Sequence, residues 1–428
     1  MYTIIFVNRF TNIFERLCYQ MKNECVLSRV EKHIIKKSDK HFSNIFDFCK
    51  MSKNLYNHAN YLIRNEFVSD GRWLRYNDLD KILKNDSEFP DYRNMPTAQS
   101  AQQTLRLLDK NWKSFFAEIK DYSKNKQKYL GKPKMPKYKK STYILIVTNQ
   151  ECKLNNDKVL FPKCFNSFSI KTKIVDIDNF MSLQQVRFLP HKDRIVAEIV
   201  YNIRMPIKLD NNRYIGIDIG VDNLATVSNN FGAESFIING KPLKSINQKF
   251  NKLTSHYKEV CKRMNNQYSS NRINRLFNKR NEKIYDYMHK ASRKIIDFCE
   301  DNDIHTIIIG KNKEWKQECC MSKKNNQNFV QIPFARFIDM IQYKAENIGI
   351  AVILTEESYT SGTSFIDNED PVKEYYNKSR RIHRGLFRSN NGILINADLN
   401  GAYQIIKKVV PIKWDRGCAL HPFVVNIT

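Results

Sequence analysis

Acidic residues near predicted strand ends and a helix start are the side chains best suited to chemistry in this 428-residue sequence. Asp218 stands among isoleucines in a buried-strand pattern, where an unpaired charge would be costly. Glu356 and Glu357 follow a predicted strand at 350–354, and Asp398 lies in the first turn of a predicted helix. A divalent cation would stabilise such carboxylates. Backbone hydrogen bonding of Asp218 and helix capping by Asp398 are the structural alternatives.

Together, the acidic positions fit a ribonuclease-H-like arrangement, with carboxylates on one strand, at a second strand end and at a helix start. Such carboxylates hold two Mg²⁺ ions about 4 Å apart for in-line attack on a phosphodiester. One ion would activate the attacking water and the other would stabilise the leaving 3′ oxygen. Mg²⁺ prefers oxygen ligands, and Mn²⁺ is a possible substitute. Because neighbouring strand residues face opposite ways, only one of Glu356 and Glu357 should face Asp218.

The charge balance indicates a polyanionic partner. Lys and Arg total 71 and Asp and Glu total 44, so the formal net charge is +27. A soluble protein this basic usually meets nucleic acid, although a basic surface can also serve solubility alone. Apolar residues make up 42% of the chain, which argues against global disorder.

The sequence predicts a protein of a reducing compartment, cytoplasmic and nucleoid-associated in a prokaryotic host. No stretch approaches the roughly 18 apolar residues that span a bilayer, and the apolar run near the start is too short for a secretory signal. The ten cysteines include no C-x-x-C pair, and the adjacent Cys319 and Cys320 alone do not make a zinc site.

Helical spacing of apolar residues predicts helices at 45–63 and 97–116, and short β-rich runs follow between 143 and 204. These runs suggest a small β-barrel or sandwich, interrupted in sequence by the helical insert. Together with the C-terminal region, they predict an α/β and α+β multidomain fold. Two long basic helices are expected between 244 and 283.

Two segments are the candidate nucleic-acid contacts. Between 124 and 140, Tyr129 and Tyr138 are interleaved among lysines and no acid occurs. Pro133 and Pro136 exclude a helix, so the segment should be an extended strap. Lysines neutralise phosphates and tyrosines stack on bases, although a solvated linker is the alternative. The candidates are Lys124, Lys126, Lys128, Tyr129, Lys132, Lys134, Lys137, Tyr138, Lys139 and Lys140 in the strap, and Lys262, Arg263, Arg272, Arg275, Lys279 and Arg280 in the basic helices.

A set of motifs in a fixed order resembles TnpB, the transposon-encoded RNA-guided DNA nuclease related to type V CRISPR effectors and the eukaryotic Fanzor proteins. The resemblance covers roughly residues 22–410. Its motifs are Met95-Pro-Thr-Ala-Gln-Ser100, Gly131-Lys-Pro-Lys-Met-Pro-Lys137, Gly216-Ile-Asp-Ile-Gly-Val-Asp-Asn-Leu-Ala-Thr-Val227, Gly240-Lys-Pro-Leu-Lys-Ser-Ile-Asn247, Asn278-Lys-Arg-Asn281 with His289-Lys-Ala-Ser292, Asn325-Asn-Gln-Asn-Phe329, Glu356-Glu-Ser-Tyr-Thr-Ser361, Arg384-Gly-Leu-Phe-Arg-Ser389 and Asn396-Ala-Asp-Leu-Asn-Gly401.

The resemblance implies a C-terminal RuvC-like nuclease domain with Asp218 as the first catalytic acid and Asp398 as the third. Many relatives place the second, a Glu, at the strand end where this chain has Gly310. The resemblance to a branch with a rearranged site implies that Glu357 supplies it, with Glu356 as the second choice. The implied metal ligands are Asp218, Glu357 and Asp398.

The resemblance also implies a zinc-ribbon-like insert at about 360–394, which here lacks the family's four cysteines. Ser364 stands near the first ligand position, and Arg388 and Asn391 stand near the later pair. We therefore predict no structural zinc. Packing of Phe365, Leu386 and Phe387 is expected to hold the loop instead.

The implied domains are an N-terminal arm with the first part of a wedge-like β domain at 1–40, a helical recognition insert at 41–128, the strap and the rest of the β domain at 129–210, and the nuclease at 211–428. The implied function is an RNA-guided DNA endonuclease of an insertion-sequence element. Its partners would be a guide RNA from the transposon end and double-stranded target DNA, next to a short flanking motif read by the N-terminal regions.

Several alternatives stay open beside this reading. An inactive RNA-guided DNA-binding regulator would have lost catalytic acids, yet all are present. A type V CRISPR effector would share the same chemistry. An actin-like sugar kinase or ATPase would need a second glycine-rich phosphate loop, which does not appear among 13 glycines. Strand transfer by a transposase is not what the family resemblance implies.

Overall fold

The computed structural model describes residues 26–177, 179–191, 193–206, 211–311, 330–383, 385–415 and 417–427. The chain divides into two compact units, the first ending at Arg204 and the second starting at Met205. Both mix helices with sheets, so the predicted mixed α/β multidomain class is confirmed. The finer boundaries at 40, 128 and 210 stay predictions. The segment 1–25, Cys319, Cys320, the motif at 325–329 and Arg384 lie outside the described residues.

The described part of the first unit has three α-helices: α1 (Phe42–Asp70), α2 (Tyr76–Asn85) and α3 (Ala98–Lys124). The helix predicted at 45–63 lies within α1, which is longer at both ends. The helix predicted at 97–116 corresponds to α3, which begins one residue later and continues to Lys124. The hydroxyl of Thr97 caps α3 by accepting the Ser100 amide at 3.1 Å. Trp112 is fully buried between the two helices, and its indole nitrogen donates to Asn60 at 3.0 Å.

The sheet of the first unit is open, where the sequence suggested a small barrel. Its strands run β1–β7–β6–β2 and are all antiparallel, and a separate three-stranded sheet has the order β3–β4–β5. Four strands are too few to close on themselves around packed side chains, and no closed barrel occurs within the described ranges. The strands are β1 (Val26–Lys36), β2 (Leu145–Thr148), β3 (Lys153–Asn155), β4 (Lys158–Leu160), β5 (Ser169–Lys171), β6 (Phe180–Pro190) and β7 (Arg194–Arg204).

A six-stranded mixed sheet forms the centre of the second unit, in the order β12–β11–β8–β9–β10–β16. Strands β8, β11 and β12 are parallel, and β8, β9 and β10 form an antiparallel meander. The strands are β8 (Tyr214–Asp218), β9 (Asn223–Asn229), β10 (Phe236–Asn239), β11 (Thr306–Gly310), β12 (Ala351–Thr355) and β16 (Phe423–Val425). Three consecutive isoleucines, Ile307–Ile309, fill β11, and Ile215 and Ile217 lie in β8; all five are fully buried, as expected for strands covered on both faces.

Within the described residues of the second unit, four α-helices accompany this sheet: α4 (Lys241–Asn265), α5 (Asn271–Asp301), α6 (Phe334–Asn347) and α7 (Ala397–Lys407). A small sheet of β13 (Arg381–His383), β14 (Leu386–Arg388) and β15 (Leu394–Asn396) leads into α7. Helix α7 packs closely on β8 because Gly216 has no side chain. A Cβ there would lie 2.3 Å from the Ala402 carbonyl oxygen. Among the described helices, none has the length and apolar character to cross a membrane.

Candidate active site

Three neighbouring parallel strands of the second unit end at one edge of the sheet. Asp218 is the last residue of β8, Gly310 is the last residue of β11, and Glu357 follows β12 by two residues. The pairing of Ile309 with Ile217 and of Gly310 with Thr355 sets these ends side by side. The carboxyl ends of parallel strands are where open α/β sheets place their polar sites.

The side chain of Glu357 occupies the space that Gly310 leaves empty. A Cβ on Gly310 would lie 2.5 Å from Cγ and 2.6 Å from Oε1 of Glu357. Real Cβ atoms do not approach so closely, so Glu357 can adopt this position only above a glycine. The carboxylate thus comes from the loop after β12 to the end of β11.

Helix α7 brings Asp398 to the same edge. The Asn396 side chain caps the helix by accepting the amides of Asp398 and Leu399, both at 3.0 Å. Gly401 lies one turn after Asp398 on the same helix face. A Cβ on Gly401 would lie 2.9 Å from Oδ2 of Asp218, so this glycine makes room for the Asp218 carboxylate.

The electrostatic environment links the three acids. Burial raises the pKa of Asp218, and the negative charge of Asp398 raises it further, while Arg381 lowers it. Burial also raises the pKa of Glu357, with Asp218 adding to the rise and Lys408 opposing it. Each of these carboxylates resists ionisation because the site excludes water and gathers like charges. An added cation would relieve both effects.

Asp398 has other partners in this structure. Arg381 Nη2 donates to its Oδ1 at 3.2 Å, and Asn223 Nδ2 donates to its Oδ2 at 2.6 Å. Across the described ranges, no three His, Cys, Asp or Glu side chains are gathered into a group that could hold a metal ion as they stand. The acids therefore share one electrostatic environment without forming a closed set of ligands.

Glu356 is placed differently from its neighbour. Its side chain is exposed and accepts the Ser358 hydroxyl at 2.7 Å, whereas Glu357 is half-buried beside Gly310. The two residues follow the end of β12 rather than lying within it. The arrangement agrees with the expectation that one of the pair faces Asp218, and the catalytic roles stay predictions.

Sequence reasoning missed four residues of this site: Arg381, Asn223, Lys408 and Gly401. Asn223 lies in the motif that contains Asp218, and Gly401 lies in the motif that contains Asp398. Both residues could therefore have been predicted from the sequence motifs. No local signal marks Arg381 or Lys408, because each reaches the acids only through the fold of the second unit.

The predicted strap is extended, but several of its side chains contact its own unit. Asn57 binds the backbone of Lys139 at both its amide and its carbonyl, and the Lys139 ammonium lies 4.7 Å and 4.8 Å from the ring centroids of Tyr56 and Tyr143. Lys128 and Tyr129 both bind Asp121, at 2.8 Å and 2.6 Å. The exposed lysines in the strap are Lys124, Lys126, Lys128, Lys132, Lys134, Lys137 and Lys140, and Lys128 is exposed even though it binds Asp121.

The long basic helices are α4 and α5, and their candidate contacts fall into two groups. The guanidinium of Arg280 is half-buried and binds Asn247, Asn281 and the Gln331 carbonyl at 2.6–2.8 Å, which ties α5 to its neighbours. The exposed candidates are Lys262, Arg263, Arg272, Arg275 and Lys279. Of these, Arg263 pairs with Glu259, and Arg272 stacks 4.2 Å from the Tyr257 ring centroid.

A polar cleft of about 570 Å³ in the first unit was not apparent from the sequence. Eight amide side chains line it, with one cation, Arg106, and no acid. The amides are Gln99, Gln102, Gln103, Asn149, Gln150, Gln184, Gln185 and Asn202. A register shift between Leu183 and Gln185 lets two consecutive glutamines of β6 face the same cleft, as β-bulges commonly do.

The insert that was expected to resemble a zinc ribbon is held by packing and hydrogen bonds. The Phe365 ring stacks on Tyr403 at 4.5 Å between centroids, and Phe387 is fully buried. Glu369 accepts from the Ser364 amide at 2.8 Å and from Arg380 at 2.6 Å. Leu386 is half-buried, and the side chains of Arg388 and Asn391 are exposed. The absence of zinc stays a prediction.

Two segments of the chain match models of known protein families. Residues 198–316 match the OrfB_IS605 family, described as a probable transposase, and residues 334–405 match the Cas12f1-like TNB domain. In these two segments the chain resembles TnpB-like and type V effector proteins. The predicted resemblance is therefore confirmed, and the matched segments include Asp218, Glu357 and Asp398.

Individual relatives agree with this assignment. The chain is 30% identical over 212 residues to the CRISPR-associated endodeoxyribonuclease Cas12f2 of Micrarchaeota archaeon (strain CG1_02_47_40), covering 46% of this chain and 37% of the relative. The match thus spans little more than a third of that protein. The cryo-EM structure of a Cas12f1–sgRNA–target DNA complex has a similar fold, with a TM-score of 0.54 and 14% identity over 86% of this chain and 82% of that chain.

Proposed function

We propose that this protein is an RNA-guided DNA endonuclease that hydrolyses phosphodiesters at the edge formed by Asp218, Glu357 and Asp398. The observation that carries the proposal is the placement of Glu357 in the space above Gly310, beside Asp218. Further support comes from the three parallel strands whose ends meet at this edge, and from the net charge of +27.

The chemistry of the site fits hard divalent cations such as Mg²⁺. All three candidate ligands are carboxylates, and Gly310 and Gly401 keep side chains out of the space beside them. Bound cations would activate the attacking water and neutralise charge on the leaving 3′ oxygen. Asp218, Glu357 and Asp398 would hold them, and Asn396 would orient Asp398 by fixing the first turn of α7.

Guide RNA and double-stranded target DNA are the proposed partners. One structural neighbour is a complex with sgRNA and target DNA, and the exposed basic residues of the strap and of α4 and α5 offer sequence-independent phosphate contacts. The amide-lined cleft of the first unit is the proposed reader of the flanking motif. Amide side chains both donate and accept, as recognition of base edges requires.

Two biological roles are compatible with the same cleavage chemistry. The nuclease accompanies an insertion-sequence element, or it serves as a type V CRISPR effector, and the relatives support both. An inactive RNA-guided regulator is the remaining alternative, and the three retained carboxylates argue against it.

One experiment tests the proposal. The full-length protein is purified with RNA transcribed from its own locus, the bound RNA is sequenced, and a plasmid library with randomised flanks is incubated with Mg²⁺. Cleavage next to a defined flank, guided by the RNA, is the expected result. Bound RNA without cleavage would favour the regulator, and the absence of any specific RNA would refute RNA guidance.

A further inference from the structure

Helix α7 carries a stripe of buried polar side chains on the face that packs against the segment after Glu357. Asn400, Gln404 and Lys407 follow the spacing i, i+4, i+7, which places them on one face of the helix. Asn400 and Gln404 are fully buried, and the Lys407 side chain is only 8% exposed. Gln404 and Lys407 donate to the backbone carbonyls of 368–369 at 2.7–3.1 Å. The stripe therefore binds the backbone of one neighbouring segment.

Asn400 binds the backbone of the same segment at two points. Its Nδ2 donates to the Thr363 carbonyl at 2.8 Å, and its Oδ1 accepts the Phe365 amide at 3.0 Å. Thr363 is fully buried as well, so bulk water cannot replace these bonds. A buried backbone group without a partner is costly, and the two bonds therefore fix this part of the segment on α7.

Further hydrogen bonds lead from Asn400 back to the candidate acid. The Thr363 hydroxyl donates to the Tyr359 carbonyl at 3.0 Å. The Glu357 carbonyl accepts the Thr360 hydroxyl at 2.8 Å and the Thr360 amide at 3.2 Å. Thr360 and Thr363 thus fold the loop after Glu357 into hydrogen-bonded turns, and Asn400 fastens the far end of this loop to the helix.

Glu357 needs such support because no strand holds it. It follows β12 by two residues, beyond the pairing of β12 with β11, which ends at Thr355. Asp398, by contrast, lies in the first turn of α7, two residues before Asn400. Asn400 therefore connects the helix that carries one candidate ligand to the loop that carries another. A ligand on a loop keeps its geometry only through supporting contacts of this kind.

We infer that Asn400 is a positioning residue that sets the place of the Glu357 carboxylate relative to Asp398, a role that rests on the proposed function of the acidic site. Its two hydrogen bonds go to backbone groups of the loop, so it acts through Glu357 rather than as a ligand. Side chains that orient a metal ligand typically contribute about 10- to 100-fold in metal affinity. The affinity for a divalent cation is therefore the quantity that depends on Asn400.

The test measures Mn²⁺ binding to the full-length, RNA-free protein by electron paramagnetic resonance. Asn400→Ala should bind Mn²⁺ about 10- to 100-fold more weakly than the wild type. Thr363→Val removes the hydroxyl that binds Tyr359 at almost the same volume, so it should weaken Mn²⁺ binding about 3- to 10-fold, the equivalent of one hydrogen bond. Thr363→Ser keeps the hydroxyl and should stay within about twofold of the wild type.

A double variant separates positioning from general support of the fold. In Glu357→Gln the loop no longer carries the carboxylate, so adding Asn400→Ala should weaken the remaining Mn²⁺ binding by less than about twofold. Asn229→Ala is the matched control. It removes a buried amide of β9 that binds the backbone of 231–233, at the end of the strand away from Asn223. This control should lower Tm and keep the Mn²⁺ affinity of the wild type.

Hydrogen exchange gives a readout that needs no metal. Mass spectrometry of the peptide 357–366 without divalent cations should show faster amide exchange in Asn400→Ala and Thr363→Val than in the wild type, Thr363→Ser and Asn229→Ala. Unchanged exchange in the first two variants would overturn the role of Asn400. Circular dichroism confirms that each variant is folded, and if Asn400→Ala is not, the contrast between Thr363→Val and Thr363→Ser decides.

Each contrary result of the Mn²⁺ titrations has a defined meaning. If Asp218→Asn keeps the Mn²⁺ binding, the proposed metal site is wrong and the role of Asn400 falls with it. If Asp218→Asn loses it but Asn400→Ala and Thr363→Val bind Mn²⁺ like the wild type, only the role of Asn400 is overturned. The same holds if Asn400→Ala costs as much affinity in Glu357→Gln as in the wild type, because Asn400 would then support the fold without acting through Glu357.

Discussion

The Glu357 carboxylate lies where a side chain on Gly310 would point, with Cγ 2.5 Å from the position of a Cβ on that glycine. Gly310 ends β11 and Glu357 lies in the loop after β12, 47 positions later in the sequence, yet only one of them can carry a side chain into this space. The acid at this edge can therefore come from the end of β11 or from the loop after β12, but not from both.

This relationship predicts a rescue by exchange. Gly310→Glu alone should clash with Glu357 and lower both stability and cleavage, and Glu357→Gly alone should remove the carboxylate. The double variant should recover cleavage to within about tenfold of wild type, because residues that share one space are strongly coupled. Plasmid cleavage and thermal unfolding of all four proteins measure this. A double variant no better than either single one would show that the two positions are not equivalent.

The two neighbouring glutamates should differ in their effect on cleavage. Glu357→Gln should lower the cleavage rate by at least about 100-fold. Losing a metal ligand costs more activity than losing a residue that only hydrogen-bonds to a ligand, which costs about 10- to 100-fold. Glu356→Gln should stay within about threefold, because its side chain is exposed and bound to Ser358. Single-turnover cleavage at saturating Mg²⁺ gives both rates. Equal losses would contradict the assignment to Glu357.

Asp218 should destabilise the metal-free protein at neutral pH. Its folded pKa is raised, so the folded state binds more protons than the unfolded state, and stability falls as pH rises from about 4 to the folded pKa. Asp218→Asn should remove this loss and raise Tm at pH 8 by about 4–8 °C, or about 2 kcal/mol. Scanning calorimetry without divalent cations at pH 5 and pH 8 checks this.

The matched control for that measurement is Asp286→Asn, an exposed residue of α5 paired with Lys290. It should change Tm little at either pH. Mg²⁺ should raise the Tm of the wild type and leave that of Asp218→Asn almost unchanged. A stabilisation of the Asn variant that is equal at pH 5 and pH 8 would contradict the electrostatic explanation.

The amide-lined cleft should set base preference in the flanking motif. Gln103→Ala or Gln185→Ala should relax the preference at one or two flank positions by about 1–3 kcal/mol, the value of one good base contact. Sequencing the depleted flanks of a randomised plasmid library measures this. Gln267→Ala, which is exposed in the turn between α4 and α5, is the control. Unchanged preferences with unchanged cleavage would exclude the cleft as the reader.

The strap lysines should separate into binding and structural residues. Lys132→Ala and Lys134→Ala each remove one exposed charge. Each should therefore reduce the slope of log affinity against log salt concentration by up to about one, the value of one lost phosphate contact. Lys139→Ala should instead lower Tm, since this side chain packs on Tyr56 and Tyr143. Filter binding from 50 to 300 mM salt and thermal unfolding provide the two readouts.

Sequence by itself determined the periodic and chemical features of this protein. The helices α1 and α3, the isoleucine-rich strands and the positions of Asp218, Glu357 and Asp398 follow from side-chain type and spacing, which are local properties. The ordered motifs also sufficed to predict the relationship to TnpB. The small barrel was not borne out, since closure depends on how many strands pair and in what register, and neither is encoded locally.

Only the tertiary structure decided which groups meet. Gly310 and Glu357 share one space because β11 and β12 pair in register, and Arg381 reaches Asp398 because β13–β15 lead into α7. Lys139 packs on Tyr56 and Tyr143 for the same reason, and its predicted phosphate contact stays a prediction. Contacts between residues far apart in sequence depend on pairing and packing across the whole unit, so no window of residues can reveal them.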